Sequence, residues 1–249
     1  MIFKPENINF DSILSDLQKD QNRKVRTKNS DILYRYQNDY FHKYKNDQQR
    51  LLWNTKSNMT CGFDVSHQFI DFSKVNSFID IGCGTGNYFN DVLSKHDIKK
   101  VVGVDAVPNF IDVSKEKNKN YNITYIESNI FDVLNNKQIE TYDLCTFNGV
   151  LQTLDLNSIS NVFDVLKKVT ADGGQLWLTA LNYYKIIKHY WSSDNRRFVG
   201  LWKYKFEELI YYIKDDFEDI QYGFYNPDAV IIDDKTEADF VFVYAKKKM

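Results

Sequence analysis

The sequence predicts an α/β protein: a doubly wound, mostly parallel seven-stranded sheet with helices on both faces, plus an N-terminal helical extension. Three observations lead there. From Val75 onward, apolar runs rich in β-branched residues alternate with amphipathic segments, the pattern of a parallel sheet covered on both sides. The first run, Phe78-Ile79-Asp80-Ile81, stops at glycines on alternate positions, Gly82, Gly84 and Gly86. The second, Val101-Val102-Gly103-Val104, ends in an acid, Asp105, about one βα unit further on.

Residues 1–70 differ in texture and are assigned to a helical extension or lid. Asp11 to Leu17 and Ile32 to Tyr44 are drawn as helices, with a polar connector over Asp20 to Ser30. On a helix, Tyr36, Tyr40 and Tyr44 share one face. That stripe either packs the helix onto the core or closes over a ligand, with Tyr40 then touching the substrate. Trp53, Cys61 and His67 lie on the approach to the glycines and are candidates for the same mouth. Residues 71–249 form the main domain. Strands are expected at 77–82, 101–105, 122–127, 142–148 and 174–181, with helices near 87–95, 108–117, 133–139 and 157–170. A helix from Trp202 to Lys214 and two strands, Phe217 to Tyr225 and Phe240 to Ala245, close the chain. Right-handed crossovers would bring the strand C-termini to one edge, so chemistry is sought at Asp80, Gly82, Asp105, Asn129 and Asn148.

Composition narrows the classes. With 249 residues, the chain is long enough for one large α/β core with added elements. Lys and Arg total 32 against 34 Asp and Glu, a net charge of −2 that argues against a nucleic-acid partner. Mean hydropathy is −0.50, and no apolar run reaches membrane-spanning length. The first residues lack the charged-then-apolar plan of a signal peptide. Cys61, Cys83 and Cys145 are odd in number and widely spaced, as expected of reduced thiols in a cytoplasmic protein. The scattered histidines His42, His67, His96 and His189 give no metal site. Oligomeric state is not legible.

The glycine loop leads into an expected helix at Asn87, so its amides are expected at a helix N-terminus, facing an anionic or electron-rich ligand end. An acid at the second strand end is placed to accept from ribose hydroxyls. A dinucleotide would need glycines spaced G-x-G-x-x-G, but Asn87 or Phe89 holds the place of the third.

These residues resemble the class I S-adenosylmethionine-dependent methyltransferases. Phe78 to Gly86 is similar to the family's first motif, a hydrophobic strand followed by D/E-x-G-x-G-x-G. Val102-Gly103-Val104-Asp105 resembles its second motif, and Tyr142 to Leu154 its fourth-strand motif. Ala171-Asp172-Gly173-Gly174-Gln175-Leu176 resembles the turn before the fifth strand, with Ala-Asp in place of the usual Lys-Pro. The resemblance implies S-adenosylmethionine as cofactor. Gly82, Cys83, Gly84 and Gly86 would lie along it, and Asp80 would steer its amino group. Asp105 would take the ribose, with Ala106 and Val107 beside the adenine. Asn129 and Ile130 would meet the adenine edge, Asn129 replacing the commoner Asp, and Asn148 would stand near the sulfonium. Thr153 holds a place often filled by His, so no base is supplied there.

After the fifth strand, an insertion over about 181–203 carries Tyr184, His189, Trp191, Arg196 and Arg197. It is expected to shape the acceptor pocket, with Tyr184 and Trp191 as apolar wall, Arg197 for an anionic group and His189 as general base. A solvated amphipathic helix is the other reading. The leading function is methyl transfer to an oxygen or nitrogen of a small molecule. The alternatives are an RNA or protein methyltransferase, or a non-catalytic partner protein of the same fold.

Overall fold

The computed structural model describes residues 10–19, 24–25, 61–137, 139–154, 156–184, 201–226 and 231–249. In chain order the elements are α1 (Phe10–Lys19), β1 (Lys24–Val25), α2 (Cys61–Ser66), β2 (Ser77–Ile81), α3 (Asn87–Leu93), β3 (Lys100–Asp105), α4 (Pro108–Lys117), β4 (Ile123–Glu127), β5 (Tyr142–Asn148), α5 (Ile159–Val169), β6 (Thr170–Leu181), β7 (Leu201–Trp202), α6 (Phe206–Tyr211), β8 (Phe217–Tyr225), β9 (Ile231–Ile232) and β10 (Phe240–Lys247).

The main sheet has eight strands in the order β4-β3-β2-β5-β6-β10-β8-β9. The first five are parallel, and β10, β8 and β9 add antiparallel pairings at one side. Seven of the eight are the strands expected from sequence. The eighth, β9, is a two-residue strand bonded to Phe224 and Tyr225, too short for a periodic signal.

Period-two alternation sorts the strand side chains between two apolar layers. Ile79, Cys145, Leu176, Leu178, Val241 and Val243 face the layer that includes α5 and α6. Phe78, Leu144, Trp177, Phe242 and Tyr244 face the opposite layer, with Phe63 of α2 and Tyr88 and Phe89 of α3. Local signals set the helix ends. Pro108 occupies the first turn of α4, where its missing N–H costs nothing, and Lys115 and Lys117 sit in its last turn. α5 buries Ile159, Val162, Phe163, Leu166 and Val169 along one stripe.

Three expectations need correction. In place of a helix at 133–139 there is a 3-10 turn over Ile130–Asn135, because the Asn129 side chain accepts from the amides of Phe131 and Asp132 and tightens the chain early. The helix expected within Trp202 to Lys214 begins near Lys205 as read, but spans only Phe206–Tyr211, and Leu201 and Trp202 pair as β7 with Lys24 and Val25. The stretch 20–30, taken as connector, therefore contains a strand. The expected helix at Ile32 to Tyr44 lies outside the described residues.

Candidate active site

The carboxyl ends of β2 to β6 open on a cavity of about 800 Å³, in the upper part of the range for small-molecule sites. Its floor is the loop after β2. Gly82 has φ +76°, and a Cβ there would lie 2.2 Å from Val150 Cγ2. Gly86 has φ +72°, and its Cβ would collide with Ser114 Oγ at 2.0 Å and Asn118 Nδ2 at 2.4 Å. Only glycine permits both the left-handed backbone and this packing.

The loop amides are spent within the protein, against expectation. Gly82 N and Cys83 N both donate to Val104 O, at 2.7 and 3.0 Å, and Gly86 N donates to Cys83 O at 3.0 Å. Gly84 N donates to Asp105 Oδ2 at 2.8 Å. These four amides form no anion cradle. Asp105 instead clamps the loop to β3, while its Oδ1 accepts from Val107 N at 2.8 Å.

Among the described residues, the charged side chains on the wall are acids: Asp80, Asp105, Glu127 and Asp132. Burial pushes the Asp105 carboxyl up to about 6, even though the amides of Val107, Gly84 and Ala106 favour its ionised form. Asp80 is only 2 % exposed and accepts from Thr146 Oγ1 at 2.6 Å. Burial first, with the nearby Asp105 adding to it, holds its carboxyl at about 7 against the pull of Thr146. Burial and the same two acids push the Cys83 thiol well above its ordinary value, so it stays protonated.

Of the cofactor residues expected from sequence, Asp80, Gly82, Cys83, Gly84 and Asp105 line this cavity, as do Ala106, Val107, Asn129, Ile130 and Asn148. Gly86 shapes the loop from behind without lining it. Asn129 reaches the wall with its amide committed: Oδ1 caps the 3-10 turn and Nδ2 donates to Asp132. Tyr184 is not on the wall, and its hydroxyl donates to Glu207 Oε1 at 2.9 Å. Tyr40, His189, Trp191 and Arg197 lie outside the described residues.

Sequence reasoning missed the aromatic wall made by Phe63, Tyr88, Tyr225 and Phe240. Tyr225 and Phe240 stack with ring centroids 5.2 Å apart, and Phe63 and Tyr88 lie 4.6 Å apart. Their exposure of 3–9 % marks them as wall rather than surface. No local signal joins residues so far apart; the register of β8 with β10 and the packing of α2 and α3 do.

An acid-lined cavity with spent loop amides suits a cationic ligand better than a phosphate. Residues 79–178 match the family model described as a methyltransferase domain. That stretch is a methyltransferase domain, and the chain has the fold of class I methyltransferases. The residues present fit S-adenosylmethionine: the ammonium and sulfonium of that molecule are positive, and the wall is acidic.

Solved structures similar in fold to this chain include the N-methyltransferase NodS from Bradyrhizobium japonicum, crystallised with S-adenosylhomocysteine. It is 18 % identical, with a TM-score of 0.58 over 85 % of this chain and 100 % of its own. A possible histamine N-methyltransferase from Thermotoga maritima is 15 % identical, with a TM-score of 0.60 over 85 % and 99 %. A methyltransferase from Archaeoglobus fulgidus is 13 % identical, with a TM-score of 0.60 over 84 % and 100 %. A search of curated proteins returns no match. Among the described residues, no helix is long and apolar enough to cross a membrane, and no three side chains gather as metal ligands.

Proposed function

We propose that the chain is an S-adenosylmethionine-dependent methyltransferase acting on an oxygen or nitrogen of a small-molecule acceptor. The observation that carries the reading is the cavity, which continues from the acids of β2 to β4 past Asn148 to Tyr225 and Phe240. The acidic end matches the cofactor, and the aromatic end is left for a second small molecule. When bound, the cofactor supplies an activated methyl group on a positively charged sulfur.

The chain's own residues then have distinct tasks. Gly82, Cys83 and Gly84 give a close-lying backbone whose turn Gly86 shapes from behind, and Asp80 attracts the cofactor's ammonium. Asp105 keeps lone pairs beyond the two amides it already binds, and these take the ribose hydroxyls. Ala106, Val107 and Ile130 flank the adenine, and Asp132 stands in for the committed Asn129 amide at its edge. The apolar wall excludes water and aligns the acceptor, which is most of what methyl transfer needs. Residues 1–70 act as a lid to which Phe63 belongs, and the segment 181–203 shapes the acceptor mouth. Within it His189 is the base for a hydroxyl acceptor; unchanged turnover in His189→Ala removes it from that role. Cytoplasmic location is part of the same reading, supported by the free buried thiols Cys83 and Cys145.

Calorimetric titration with S-adenosylmethionine, then a screen of small hydroxyl and amine compounds for S-adenosylhomocysteine release, tests the proposal. Saturable binding with release on small acceptors is expected. Binding with release only on RNA or protein would overturn the acceptor class.

A further inference from the structure

Asn148 ends β5 and Thr179 is its register partner on β6, so the two stand side by side at the rim, and both line the cavity. The indole Nε1 of Trp177 donates to Asn148 Oδ1 at 3.0 Å. An indole nitrogen can only donate, so the atom facing it must be the amide oxygen. The orientation of Asn148 is therefore chemically forced, and its NH2 is buried without a hydrogen-bond partner. Thr179 also has a donor available. Its Oγ1 accepts from Gly149 N at 3.0 Å, leaving its own hydrogen to give. Two adjacent polar groups thus have donors to offer, and each acceptor atom already takes one hydrogen bond from the protein.

A ligand atom serving both must carry lone pairs. A carbonyl, hydroxyl or phenolate oxygen does so, whereas an aromatic amine, with its lone pair drawn into the ring, does not. The compartment beyond is walled by the stacked Tyr225–Phe240 pair and by Phe63 and Tyr88, all in one apolar cluster. The Tyr88 hydroxyl is held by Ser66 Oγ at 2.8 Å, which leaves its ring as the contact surface. Flat rings pack well on such faces.

We propose that Asn148 and Thr179 form a two-donor subsite for the oxygen of a flat hydroxy-aromatic acceptor, with Trp177 as the residue that positions Asn148. The subsite rests on the small-molecule reading above and narrows it to oxygen. Trp177 is fully buried and stacks on Phe242 at 4.9 Å, so the indole cannot swing away.

The test uses the matched pair 4-nitrophenol and 4-nitroaniline, which share ring and nitro group. Binding is measured on the full chain, with and without S-adenosylhomocysteine. The phenol should bind about tenfold tighter or more, as two donor bonds are gained. Thr179→Val, nearly isosteric, should erode that ratio several-fold while leaving affinity for S-adenosylhomocysteine unchanged. Trp177→Phe should do the same by freeing the Asn148 amide to turn; a purely structural role for the indole would weaken both probes alike. Equal binding of the two probes, a preference for the aniline, or failure of both in a chain that binds S-adenosylhomocysteine would overturn the subsite. Failure to bind S-adenosylhomocysteine would instead strike the cofactor reading.

Discussion

Asp80 carries a pH signature that follows from its burial. In the ligand-free chain its carboxyl is held at about 7, whereas the ordinary value is 3.8. Between those values the folded state binds a proton that the unfolded state has released. Its contribution to stability therefore falls as pH rises through that window, and the loss is complete above about pH 7. A shift of this size corresponds to about 4 kcal/mol in all, of which about 3 kcal/mol falls between roughly pH 5 and pH 8. Asp80→Asn removes the titration and keeps an amide oxygen to accept from Thr146 Oγ1, now 2.6 Å from Oδ1. The assay is urea unfolding of both proteins at the two pH values. Relative to the wild type, Asp80→Asn should gain about 3 kcal/mol on going to the higher pH. Parallel pH profiles would refute the account of a destabilised buried carboxylate.

Other expectations follow from the same geometry. Because a cationic ligand favours the ionised acids, affinity for S-adenosylmethionine should rise as pH passes through the window of Asp105 and Asp80, about 6 to 7. Proton release should show as a dependence of the binding enthalpy on buffer; a flat profile would contradict it. Gly86→Ala forces a side chain into Ser114 and Asn118 at a left-handed residue, and should cost about 2 kcal/mol or more of stability in thermal or urea unfolding. Asn182 is fully buried and its Nδ2 donates to Lys235 O at 2.6 Å and Ala238 O at 2.8 Å. Asn182→Ala strands both carbonyls and should lose about 2–4 kcal/mol by urea unfolding.

The cofactor half of the site was legible because its signals are local. A β-branched run, alternate glycines and a strand ending in Asp105 lie within one βα unit, and the crossover rule brings their ends together. Even there the roles of the loop amides were misread. Nothing in the residue types reveals that Val104 O takes two of them and Asp105 a third. The turn at Asn129 carried a readable signal, an Asn able to cap the following amides, which the apolar pattern of 133–139 obscured. The rest was hidden by distance along the chain. β1 and β7 are two residues each and find one another only through tertiary structure. Trp177 reads as one more core residue until cross-strand register sets it against Asn148. The aromatic wall likewise gathers residues from α2, α3 and the closing strands.

The most direct test of where the cofactor sits is an amide-resolved NMR titration of the full chain with S-adenosylhomocysteine. Saturating shifts should centre on Gly82 to Gly84, Asp105 to Val107 and Ile130, with β9 unmoved. Binding that leaves Gly84 and Asp105 undisturbed would contradict a nucleoside held between that loop and that acid.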